Sequence, residues 1–233
     1  NGDGLETLIL RLHEVLMVDS KSASLENFRM VAEIFQEIAI ARQEIPHVAD
    51  LQRTVKATGS LGRAALIQLE LGPEADNILM NLIQTLGLIN YVKPLDTVNG
   101  QQTTVISDVS EALFDIGSLA AENKRHFISV AALDKLITML CYTPLLNDVP
   151  DYVLDELAAD VVGLMAHIWS EEKGQQEYVR KRMPEVRSCL GVNDSRNLNK
   201  ARAHYLSKSQ FDTVSRIDQM FKGLKPKPRK RKK

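Results

Sequence analysis

Apolar residues recur at every third or fourth position along most of this 233-residue chain, the spacing that lines one face of a helix. Leu5, Leu8, Ile9, Leu12, Val15 and Leu16 form the first stripe, and Asp3 with Glu6 makes a capping-box pair at its start. A second helix begins at Ser24, carries Leu25, Phe28, Val31, Ala32, Phe35, Ile38 and Ala39, and stops before Pro46; Glu26, Arg29, Glu33 and Glu37 lie on its polar side. Beyond Pro46, stop signals mark a short helix at 48–57, one from Ser60 to Glu70 closed by Gly72-Pro73, and one from Glu74 to Tyr91 closed by Pro94. The polar run 96–104 contains an Asn99-Gly100 turn signal and reads as a loop. Further helices are predicted at 105–121, 124–142, 150–170 and 173–190, the third opening with Asp148 and Pro150 at cap and first-turn positions. Alternating strand patterns are missing, so the expectation is an all-α chain without a sheet.

Setting Ala112–Leu140 beside Val161–Leu190 reveals an internal similarity at a spacing of about 49 residues. Each stretch reads as an apolar helix ending in a small residue (Ala120, Ser170), a polar turn (Glu122-Asn123, Glu171-Glu172), and a second helix with a hydrophobic seam. Periods of about 40–47 residues built from two or three helices mark stacked solenoid units, none of which buries its faces without its neighbours. Ala112, Ile116 and Leu119, the turn at Glu122-Asn123, then Ile128, Leu133, Leu136, Ile137 and Leu140 resemble an armadillo repeat junction. Weaker echoes at Val31–Ala39 and Gly62–Leu69 extend the resemblance to the armadillo/HEAT class over residues 25–190. The resemblance implies an irregular superhelix of three to four repeats that binds proteins. In peptide-binding members a ladder of Asn on the third helices clamps an extended ligand. The matching positions here are Glu37, Gln68, Ser118 and Leu164, none of them Asn.

Charge changes the picture at the C-terminus. Residues 1–195 hold 16 Lys and Arg against 28 Asp and Glu, and residues 196–233 hold 13 against 2, so a body near −12 carries an appendage near +11. From Arg196 onward Leu198, Ala201, Tyr205, Phe211, Val214, Ile217 and Phe221 keep helical spacing among interleaved cations. That segment, 196–224, is expected to form one broken helix or two short ones that cap the last repeat. Residues 225–233 contain seven cations and no apolar side chain larger than proline, so they are expected to be a disordered tail. Lys225, Lys227, Arg229, Lys230, Arg231, Lys232 and Lys233 match the short basic cluster that import receptors recognise. The alternative is direct contact with RNA or DNA phosphates, although no aromatic residue in the tail offers base stacking. A body at −12 argues against nucleic-acid binding through the repeats themselves.

Catalytic signals are poor. His13, His47, His126, His167 and His204 are scattered without metal-ligand spacing, and no nucleophile-base motif is recognisable. Gly59-Ser60-Leu61-Gly62 lacks the lysine of a phosphate loop and reads as a helix-start turn. Cys141 and Cys189 sit in apolar stretches and read as buried free thiols of a reducing compartment. Phe28, Phe35, Phe114 and Phe127 read as core residues. Trp169 reads as a core seal with a partner hot spot as the sharper alternative. Acidic residues around Asp148–Asp160 read as a surface that steers a basic partner or as favourable helix-start charges.

The sequence thus predicts a helical-repeat body over 1–195, a basic helical segment and a basic tail. The expected activity is a non-catalytic, cofactor-free protein-binding scaffold in the nucleus, shuttling with the cytoplasm as a variant, with an import receptor on the tail and no membrane partner. The predicted partner line is Glu37, Gln68, Ser118 and Leu164, with Arg29, Asp160 and Trp169 beside it.

Overall fold

A computed structural model describes residues 25–41, 48–69, 72–89, 96–98, 101–103, 105–143, 149–169, 173–190 and 194–222. The predicted helix starting at Asp3 and the tail 225–233 lie outside the described residues. The elements in order are α1 (Leu25–Ile40), α2 (Val48–Gln68), α3 (Pro73–Ile89), β1 (Asp96–Val98), β2 (Gln101–Thr103), α4 (Val105–Glu122), α5 (His126–Tyr142), α6 (Asp151–Ile168), α7 (Lys173–Leu190), α8 (Asp194–Ser207) and α9 (Phe211–Lys222). The class is all-α. One departure is the run 96–104, where two three-residue strands pair antiparallel with Val98 opposite Gln101. They flank Asn99-Gly100, the dipeptide that favours hairpin turns, so the signal read as a loop marks a small ribbon.

The helices alternate between two layers. Those with odd numbers pack in the order α1, α3, α5, α7, and those with even numbers in the order α2, α4, α6, α8, while each helix also touches its neighbour in the chain. The last, α9, lies against α6 and α8. This alternation follows from wide apolar faces: α4 buries Ile106, Val109, Leu113 and Ile116 among others, and α6 buries eleven residues. A helix this apolar must be surrounded rather than laid on a surface. The core is therefore continuous from Phe28 and Phe35 of α1 to Ile217 and Met220 of α9.

Side-chain bonds between helices of one layer join residues 44 to 56 apart, four of them near the 49-residue spacing of the sequence. Ser107 and Ser110 of α4 donate to Glu156 and Asp160 of α6, 49 and 50 residues on. In the odd layer His126 meets Gln175 and Asp134 meets Arg182, at 49 and 48 residues. The pattern fits a helical repeat. The α4–α5 and α8–α9 turns are also alike: Lys124 and Ser209 have φ of 59° and 58°, and the next amides, of Arg125 and Gln210, donate back to Ala120 and Tyr205.

Two sequence expectations fail in α2 and α5. The chain does not break near Ser60, because α2 runs through Gly59 and Gly62. A Cβ at Gly59 would stand 3.0 Å from the Ala112 Cβ, and one at Gly62 would stand 2.5 Å from Ile116 Cδ1. These glycines are contact points of α2 on α4, not turn residues. Phe127, expected in the core, is 67% exposed at the start of α5. Beside it Arg125 takes the buried position, its guanidinium donating to the Leu69 carbonyl at 2.8 Å and pairing with Asp76 at 3.3 Å. One buried cation thus ties the end of α2 to the start of α3.

Candidate functional site

The even layer consumes its polar groups internally. Gln52 of α2 donates to Asp108 of α4 at 2.9 Å, and Arg63 of α2 pairs with Asp115 of α4 at 2.7 Å. Ser110 of α4 donates to Asp160 of α6 at 2.6 Å, and Asp155 of α6 pairs with Lys200 of α8. The carboxyls here therefore join helices. Burial pushes the Asp108 and Asp115 carboxyls above their usual range, against the opposing pull of Lys56 and Arg63 respectively. Asp160 is pushed up to about 7, chiefly by burial, with the Ser110 hydrogen bond opposing the shift.

Glycine sets the spacing of this layer. A Cβ at Gly117 would lie 2.6 Å from Leu164 Cδ2, and one at Gly163 would overlap the Tyr205 hydroxyl. That hydroxyl donates to the Ala159 carbonyl at 3.0 Å. The imidazole of His167 packs edge-on against Phe114 at 5.8 Å, and burial holds its pKa below the usual value.

In the odd layer α5 and α7 are joined in the same way, Tyr178 and Arg182 both donating to Asp134, but the α1–α3 pair leaves an opening. Between α1 and α3 lies a groove of about 460 Å³, bordered by Glu26, Arg29 and Glu33 on one side and Glu74, Asn77 and Asn81 on the other. A second depression of about 410 Å³ is lined by Gln36, Gln84, Gly87, Lys135 and Thr138, and the two share Gln84. Asn77, Asn81 and Gln84 follow i, i+4, i+7 spacing, which places them in one row along α3.

The predicted partner residues do not form a line. Glu37 is exposed on α1, in the odd layer, whereas Gln68, Ser118 and Leu164 belong to α2, α4 and α6 of the even layer. Gln68 is exposed, and Ser118 is half-buried with its hydroxyl donating to the Asp115 carbonyl. Leu164 is fully buried against Gly117 and presents nothing to a partner. Asp160 is a joint between α4 and α6. Trp169 is buried at the end of α6 with the Arg180 guanidinium 5.2 Å from its ring centroid, which places it as the core seal and not as an exposed hot spot. Arg29 alone of these residues borders the groove. Sequence reading missed Gln36, Asn77, Asn81 and Gln84; the amide row on α3 was the available signal.

The cysteine reading is also corrected. Cys141 of α5 and Cys189 of α7 are joined in a disulfide, 48 residues apart and with Cα atoms 4.8 Å from each other. They lie near the C-terminal ends of α5 and α7, and neither is a free thiol. Among the described residues no group of three or more His, Cys, Asp or Glu is placed to hold a metal ion. No described helix is long and apolar enough to cross a membrane.

Compared with known proteins, the chain matches no family model, and no curated protein or solved structure matches it significantly. What the fold and grooves define is a class: an all-α protein of packed helices compatible with a helical repeat.

Proposed function

We propose that this protein is a non-catalytic protein–protein interaction scaffold of the armadillo/HEAT kind, working in the nucleus with Lys225–Lys233 as its import signal. The observation that carries the reading is the two-layer alternation of helices, each packing on its next-but-one neighbour. Stacking of this kind produces a long exposed surface relative to its core, and such surfaces serve as binding faces in solenoid proteins. The acidic body favours basic partners, since complementary charge steers encounter and rejects like-charged competitors. The basic tail supports import. The disulfide pulls the other way, because such bonds are uncommon in nuclear proteins.

Affinity capture on the immobilised full chain, from extract with and without nuclease treatment, tests the activity. Proteins retained in a stoichiometric complex support the scaffold; retention that disappears with nuclease supports a nucleic-acid-associated factor instead. Imaging the full chain beside one lacking 225–233 tests the address. Loss of nuclear signal on deletion is expected, and an unchanged distribution contradicts it.

A further inference from the structure

The bond between Cys141 and Cys189 stands just beyond the weakest point of its helix. In α7 the buried apolar side chains Val179, Met183, Val186 and Leu190 follow i, i+4, i+7, i+11 spacing, which makes a single narrow seam. The helix α6, against which α7 packs, buries eleven residues. Pro184 interrupts α7 and lies exposed on its outer side. It offers no N–H to the Arg180 carbonyl, and its ring crowds that carbonyl, so the helix is easiest to open there. Before Pro184, polar side chains tie α7 to α5: Gln175 meets His126, and Tyr178 and Arg182 both donate to Asp134. The Arg180 guanidinium also covers the Trp169 ring. Past Pro184 the seam continues only with Val186 and Leu190, and Cys189 is bonded covalently to the end of α5.

Both cysteines are half-buried, so a small thiol can reach the bond from solvent. The chain holds two cysteines and no third to exchange with them. Their backbones are set by α5 and α7, with Cα atoms 4.8 Å apart, inside the range that a disulfide spans. An opened pair therefore recloses on itself. We propose that Cys141–Cys189 is a reversible redox latch. Closed, it pins residues 185–190 of α7 onto the body; opened, it lets that stretch move away at Pro184 and uncover the apolar surface beneath it. Opening takes a thiol reductant. One external thiolate attacks a cysteine sulfur, breaking the S–S bond and forming a mixed disulfide, and a second external thiol resolves it into two protein thiols and one external disulfide. Two electrons and two protons pass to the protein, and an external disulfide reverses the step.

The test is hydrogen–deuterium exchange on the full chain, as oxidised protein, after excess reduced glutathione, and after reoxidation with glutathione disulfide. Alkylation should find two free thiols after glutathione and none before it or after reoxidation. Amides of 185–190 are expected to exchange about tenfold faster in the reduced form and to recover on reoxidation, with 175–182 and the helices α4 and α6 unchanged. Cys141→Ser with Cys189→Ser should exchange at the reduced rate whatever the reagent. Pro184→Ala restores the missing hydrogen bond and should hold the increase on reduction within about threefold. A bond that glutathione leaves intact would make it a fixed staple, and unchanged exchange on reduction would mean that the seam alone holds α7. Acceleration spread over α4 and α6 would mean that the bond holds the whole body. Each of these results would overturn the latch, as would equal acceleration in the wild type and in Pro184→Ala, since the latch turns on that proline.

Discussion

Where α2, α4, α6 and α8 meet, glycines take the contact positions and polar side chains pair across the joints; where α1 and α3 run side by side, a groove stays open and its amides stay unpaired. Gly62, Gly117 and Gly163 each cost roughly 1 kcal/mol relative to alanine in a helix. That cost is recovered only if the helices approach closely enough for Ile116, Leu164 and Tyr205 to fill the space a side chain would take. One layer is therefore specified by close contact and carries stability. In the other, α5 and α7 are likewise joined, by Asp134 with Arg182 and by the Cys141–Cys189 disulfide, and the α1–α3 pair is where polar side chains border an open groove.

The largest expected effect comes from closing the gap in the even layer. Gly163→Ala drives a methyl into the Tyr205 hydroxyl and should cost about 3 kcal/mol in urea unfolding. Tyr205→Phe in the same chain removes the hydroxyl and should recover a measurable part, so the two changes will not add. Additive costs would mean α6 and α8 do not meet there.

Next comes the buried cation that connects the layers. Arg125→Ala leaves the Leu69 carbonyl and Asp76 without their partner and should cost about 2 kcal/mol. Arg29→Ala, on the exposed rim of the groove, should leave the urea midpoint unchanged. Equal costs would erase the contrast between joint and rim.

The Asp160 carboxyl makes the contrast pH-dependent. Its folded pKa, about 7, stands above the ordinary carboxylate value, so the folded state binds the proton more tightly than the unfolded chain. Stability from this group is full at low pH, declines as pH rises from near 4 to near 7, and stays low above that. Asp160→Asn keeps an acceptor for the Ser110 hydroxyl and removes the buried charge. It should stabilise the protein on the order of 1–2 kcal/mol at pH 8 and leave it nearly unchanged at pH 4. The neighbouring charges Glu111, Glu156 and Lys208 stay in place. A pH-independent difference would mean the carboxyl is not buried.

The smallest effect lies in the turns. Lys124→Gly and Ser209→Gly each relieve a left-handed backbone and should add about 0.5–1 kcal/mol. Similar gains at both would confirm that the two helix-to-helix turns share one geometry.

Much of the helical order was legible because Pro and Gly punctuate it locally: the helices at 105–122, 126–142 and 173–190 lie close to their predicted limits. The continuity of α2 was not legible, since the reason for Gly59 and Gly62 lies about 50 residues away, in Ala112 and Ile116. The disulfide had a signal in the 48-residue spacing of Cys141 and Cys189, one short of the 49-residue period, which puts them near the matching ends of α5 and α7. Leu164 was misplaced because alignment to a repeat assigned it a ligand-facing position, whereas α6 is apolar on nearly every side and is enclosed. The amide row on α3 was visible as a polar stripe. Its partner wall on α1 was not, because nothing local tells which helix lies beside it.

Hydrogen–deuterium exchange on the full chain tests the contrast between the close-packed even helices and the α1–α3 pair most directly. The contrast predicts the slowest amide exchange in α4 and α6, which are enclosed by their neighbours, and faster exchange in α1 and α3. Exchange in α1 and α3 as slow as in α4 and α6 would contradict it.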